Sequence, residues 1–220
     1  MISGARQQQQ LHHADRGRHD PAGRGGHDRQ HAMAGSTTAM AISATLHCLT
    51  GCAIGEIAGL IIGTAAGPGN LATIAISIAL AFLFGYSLST LPLLKSGLAL
   101  RTALTIVLAA DTLSILTMEI VDNGVMAVIP GAMNAGLVNV LFWLGMMVSL
   151  TVAFAAAFPV NRFLLQRGRG HALTHHYHGA PVISSGWHRL IPVFAPGALA
   201  AVIVAFMLGG LIVALADELA

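Results

Sequence analysis

Five apolar stretches, near residues 44–65, 71–91, 98–121, 134–160 and 191–216, decide what this chain can fold into. A helix needs about 20 mostly apolar residues to cross the hydrocarbon core of a bilayer, and each stretch reaches that length. Of the 220 residues 55% are hydrophobic and only 9% charged, whereas an average soluble domain is roughly 25% charged. A soluble fold of this size has no way to hide so much apolar surface. The predicted fold class is therefore all-α: a polytopic membrane helical bundle with five transmembrane helices and no room for a second globular domain.

The basic residues give that bundle a direction, because cytoplasmic loops carry the excess of Lys and Arg. Arg6, Arg16, Arg18, Arg24 and Arg29 precede the first span, Lys95 and Arg101 lie between spans two and three, and Arg162, Arg167, Arg169 and Arg189 lie between spans four and five. These are all eleven Lys and Arg residues. The other connections and the C-terminal tail carry none, which predicts a cytoplasmic N-terminus and an outside C-terminus. The first apolar run is longer than the roughly 7–15 residues of a signal-peptide core and reads as a retained helix.

Residues 1–35 are rich in Gln, His, Arg and Gly, bury too little apolar surface to order themselves, and predict a disordered low-complexity tail. Residues 36–216 form the transmembrane domain, with Ser36 as a candidate cap for the first helix. Gly55, Gly59 and Gly63 make a small-residue stripe on that helix, a pattern that lets another helix approach closely. The sequence Gly67-Pro68-Gly69-Asn70 then predicts a tight turn, so spans one and two form an antiparallel hairpin. Leu91-Pro92 is expected to end span two, Asn123-Gly124 to turn the chain after span three, and Pro130-Gly131 to precede span four.

Ionisable side chains deep in a bilayer cost on the order of 2.5–3.5 kcal/mol each and usually face a path or a partner. On span one Cys48, Cys52 and Glu56 recur every fourth residue and share one face, with His47 adjacent. On span three Asp111, Ser114, Met118 and Asp122 form another stripe with Glu119 beside it. Arg101 is more than two turns from Asp111 and too far to pair with it. Glu56 and Asp111 each fall near the middle of a span running in the same direction, so they are expected at one depth. Cys48 and Cys52 sit towards the cytoplasmic end, where a structural disulfide is disfavoured, and are free thiols or ligands.

Thiolate and thioether ligands favour copper(I) and zinc, and imidazole suits zinc and copper. This predicts a path of three stations: His47, Cys48 and Cys52 inside, Glu56 with Asp111 and Ser114 midway, and Met118, Glu119 and Asp122 outside. Buried cysteine and methionine serve equally as packing residues. Met126 and Met133 add thioethers near the outer mouth, and His171, His175, His176 and His178 in the inner loop are accessory metal candidates or part of a basic, lipid-facing loop. No signature of a hydrolase, zinc protease or nucleotide-binding loop is present, so an enzyme is not expected. Nucleic-acid binding finds no support beyond the arginines of the tail.

The strings HCLTGCAIGE, DTLSILTMEIVDN, PGAM and PVNRFLLQRGRGHALTHHYH together resemble a family of small bacterial multi-pass membrane proteins known as a domain of unknown function, over about residues 36–216. The resemblance implies a bacterial inner membrane location and an association with copper handling. The leading expectation is a membrane protein that binds, and translocates, a soft cation, copper(I) before zinc. The alternatives are a proton-coupled carrier or channel for a small solute, in which sulfur is incidental, and a structural subunit that packs through its glycine stripe. Five short spans leave little room for a pathway, so a homo-oligomer in the lipid bilayer is expected.

Overall fold

The computed structural model describes residues 21–67, 69–167 and 190–220, with side chains from Thr37 onward. Two compact units divide the chain, Met1–Ser36 and Thr37–Ala220, and the five long apolar helical segments belong to the second. The long helices are α1 (Pro21–Ala66, of which Thr37–Ala66 is long and apolar enough to span), α2 (Asn70–Lys95), α3 (Leu100–Val128), α4 (Val140–Gln166) and α5 (Pro196–Leu219). A single 3-10 turn, Ala132–Asn134, joins α3 to α4. The described elements are all helical, as the apolar runs predict. Of the segment expected to be disordered, residues 1–20 lie outside the described residues, and 21–35 are described only as backbone of α1.

Several helix boundaries differ from the expected ones, and three of the shifts have a plain local reason. Helix α2 runs through Pro92 to Lys95; inside a bilayer a proline is tolerated because neighbouring groups satisfy the backbone it frees. Helix α3 runs through Asn123-Gly124, and the Asn123 side chain donates back to the Glu119 carbonyl at 2.9 Å instead of opening a turn. Helix α4 starts at Val140, not near Asn134, because the Asn139 side chain caps it by accepting from the Leu141 amide at 2.8 Å.

The hairpin of α1 and α2 is closely packed. Gly51, Gly55, Gly59 and Gly63 recur every fourth residue on α1 and face Gly85, Ala81, Ser77 and Thr73, which recur at the same interval on α2. A side-chain carbon added at Gly51 or Gly55 meets α2 backbone, and one added at Gly63 meets only the Thr73 side chain. The stripe read from the sequence is thus occupied by the chain's own second span. Ser77 Oγ also donates across this seam to the Glu56 carbonyl at 3.4 Å.

Helices α3 and α4 pack side by side, and α5 covers α4 at one seam, where Gly210 meets the ring of Trp143. That ring is pinned, because Trp143 Nε1 donates to the Leu137 carbonyl at 2.7 Å and Phe206 packs edge-on against it. A leucine at Gly210 is expected to displace it and cost about 1–3 kcal/mol. Gly209→Leu, where an added carbon meets nothing within 4 Å, should be near neutral; thermal melting of the two variants in detergent checks the difference.

The distribution of polarity is that of a bilayer protein. Helix α3 turns Leu104, Leu108, Leu113, Leu116 and Ile120 outward while burying Asp111, Ser114, Glu119 and Asp122. Helix α5 exposes Val202, Val204, Phe206, Ile212 and Val213. Lipid is as apolar as leucine, so nothing expels such side chains inward, whereas every polar group gains by turning away from it.

Candidate functional site

The buried polar side chains of α3, Asp111, Ser114, Glu119 and Asp122, fall at i, i+3, i+8 and i+11 and so share one face of the helix, and that face lies against the face of α1 that carries the two cysteines. The Cys48 thiol has Asp111 and Ser114 of α3 and Ser89 of α2 as neighbours. One turn along, Cys52 lies beside Glu119, with Cys48 and Glu56 also close. A turn further, Glu56 adjoins Asp122 and Glu119. Asp111 and Ser114 are fully buried, and Cys52, Glu119 and Asp122 are nearly so. The carboxyl of Asp122 and the hydroxyls of Ser89 and Ser114 are buried, with the Glu56 carboxyl and the Cys48 thiol respectively as polar neighbours. Leaving a buried polar group unsatisfied costs about 1–3 kcal/mol, so these side chains depend on one another or on a bound water, ion or proton.

Glu56 and Asp111 do not share a level, contrary to the expectation from the apolar runs. Asp111 is at the level of Cys48, two turns or roughly 12 Å along α1 from Glu56. Helix α3 continues to Val128, well beyond the end of its apolar run at 121, so its middle lies C-terminal to Asp111. Asp122, not Asp111, comes level with Glu56.

Both ends of this column continue in polar contacts. Below Cys48, the Asn161 side chain of α4 donates to Thr45 Oγ1 at 2.9 Å, and Thr45 donates on to the Ala41 carbonyl at 2.7 Å, all of it buried. Thr45 to Glu56 is roughly 17 Å along the helix axis, more than half of the approximately 30 Å hydrocarbon core. Beyond Glu56 a cavity of about 500 Å³ opens at the end of the bundle where Asn70 starts α2. Glu56, Ser77, Thr73, Asn123, Met126 and Met133 contribute to its wall. The Asn70 and Asn134 side chains, hydrogen-bonded at 2.7 Å, tie the first hairpin turn to the connection between α3 and α4 beside it. The basic side chains described, Lys95, Arg101, Arg162 and Arg167, all sit near the opposite ends of their helices.

The family model described as Domain of unknown function (DUF4396) matches residues 37–170. The chain belongs to this family. No curated protein and no solved structure matches it. The DUF4396 match takes in the spanning part of α1, all of α2, α3 and α4, and every residue of the column. It ends before α5, short of the extent to residue 216 that the sequence strings suggest.

Within the DUF4396 region the expected metal stations are only partly assembled. Cys48 and Cys52 are buried free thiols on the column, and Met118 is fully buried in the apolar core beside it. His47 Nδ1 donates to the Ser43 carbonyl at 2.8 Å. Among the described residues no three His, Cys, Asp or Glu side chains converge as a ready ligand set. His171, His175, His176 and His178 lie outside the described residues.

Sequence reasoning missed Thr45, Ser77, Ser89 and Asn161 of the DUF4396 fold. A signal for two of them existed: Ser77, Ala81, Gly85 and Ser89 form a small-residue stripe on α2 with the same spacing as the glycines of α1. Nothing in the sequence connects Asn161 with Thr45, since their hydrogen bond spans 116 positions.

Proposed function

We propose that this DUF4396 protein is a proton-coupled membrane carrier whose proton path is the column between α1 and α3. The observation that carries the reading is the junction of Glu56 with Asp122 and Glu119. One of these acids lines an open cavity, and the other two are buried behind it. Carboxyl groups in such contact cannot all be ionised without a compensating charge, so they exchange protons or cations as a group. From Glu56 the chain of exchangeable groups runs through Glu119 and Cys52 to Asp111, Ser114 and Cys48. By the excess of positive charge, the end carrying Lys95 and Arg101 faces the cytoplasm and the cavity faces outward, in a bacterial inner membrane.

A second reading has its own support. Cys48 and Cys52 on the column, with Met126 and Met133 in the cavity wall, are soft donors suited to copper(I), which would travel by exchange between successive pairs and not in a preformed site. One experiment separates the two readings: flux and retained metal in liposomes containing wild type, Glu119→Gln, or Cys48→Ser with Cys52→Ser. The proton reading expects the Ser variant to keep at least half of the proton flux and Glu119→Gln to lose at least tenfold. Retained copper(I), with flux lost in the Ser variant and kept in Glu119→Gln, would transfer the assignment to the metal.

A further inference from the structure

The cavity next to Glu56 is far larger than a proton path needs, and the chemistry of its wall is selective. Glu56 is the only ionisable side chain among the described residues that line it. The other polar groups are amides and hydroxyls, among them Asn123, Thr73 and Ser77, and Met126, Met133 and Phe142 supply apolar and aromatic surface. A carboxylate or phosphate would meet another acid there and no cation. A bare metal ion would want a close shell of oxygen ligands, which a half-apolar space of about 500 Å³ does not offer. Small-molecule sites have this size and this mixture of apolar wall and few polar groups.

A protonated primary amine has three donors and no acceptor. A carboxylate, an amide oxygen and a hydroxyl match them, and thioether and aromatic surface accepts the rest of the molecule. The position of Glu56 fits the same role, because the residue is half-buried, lines the cavity and adjoins Asp122, with Glu119 near by. We propose that the cavity binds a small monovalent organic cation, a primary ammonium on a short apolar body, with its nitrogen at Glu56. This assignment rests on the carrier reading, for which it names the class of solute.

The test uses the full chain in nanodiscs, titrated calorimetrically with n-butylammonium, n-butanol and butyrate. Saturable binding of n-butylammonium is expected, with butanol at least tenfold weaker and butyrate undetectable. Glu56→Gln should weaken the ammonium at least tenfold. Gly136→Leu should do the same by filling the cavity; Gly136 lines the space, and a carbon added there meets nothing within 4 Å. Equal affinity for butanol or butyrate, no saturable ammonium binding, or unchanged affinity in Glu56→Gln would overturn the assignment. Proton flux measured on the same preparation keeps the two claims apart: flux without amine binding sinks the amine site and spares the proton path, and amine binding without flux does the reverse.

Discussion

Gly55→Leu is expected to abolish the folded hairpin of α1 and α2, and to lower the yield of monodisperse protein in detergent to a small fraction of wild type. The nearest atoms to a carbon added at this position are the amide nitrogen and Cα of Ala81 and the carbonyl carbon of Leu80, all backbone. Overpacking usually costs about 1–3 kcal/mol when side chains can move aside. Here only separation of the two helices makes room, so the loss should exceed roughly 3 kcal/mol. Gly63→Ala should cost less, because the obstructing atoms belong to the Thr73 side chain, and Gly124→Leu should be tolerated, since nothing lies within 4 Å of an added carbon there. Thermal melting of the three variants ranks them; equal melting of Gly55→Leu and Gly124→Leu would show that the glycine seam does not hold the hairpin.

The second large effect separates function from stability. Asp122→Asn should reduce proton flux by at least tenfold, and Glu56→Gln should do likewise. Combining them should add little, because both remove the same junction and changes at contacting residues are not additive. Stability should move the other way. The Asp122 carboxyl is buried beside those of Glu56 and Glu119, and an amide of the same shape carries no charge to bury among them. Asp122→Asn is therefore expected to be unchanged or to gain about 1 kcal/mol. A variant that loses flux by unfolding would melt earlier, so flux and melting together decide which has happened.

How much of this was legible in the sequence depended on whether the signal lay within one helix or between two. The five spans follow from apolar length, and the stripe of Asp111, Ser114, Met118 and Asp122 follows from helical period, because both are properties of a single segment. The hairpin was legible too, since a short turn leaves two consecutive spans little choice but to pack. The match of Glu56 to Asp122 was not legible: it depends on how far α3 runs past its apolar stretch to Val128, and apolar runs do not mark where a helix ends. Asn123-Gly124 and Pro92 read as breaks and lie inside helices, because the bilayer penalises an exposed backbone group more than it penalises a poor helix former. The cavity was invisible for the same reason as the Thr45–Asn161 contact: its walls come from four helices and the connection between α3 and α4.

Proton movement through the column between α1 and α3 is measured most directly by reconstituting the wild-type protein in liposomes with a pH-sensitive dye inside, imposing a pH step, and following the lumen pH alongside Asp122→Asn. A dye response several-fold faster than in empty liposomes, returned to that background by Asp122→Asn, is the predicted result. A fast response that persists undiminished in Asp122→Asn, or a wild-type response no faster than empty liposomes over a range of starting pH, would contradict the account.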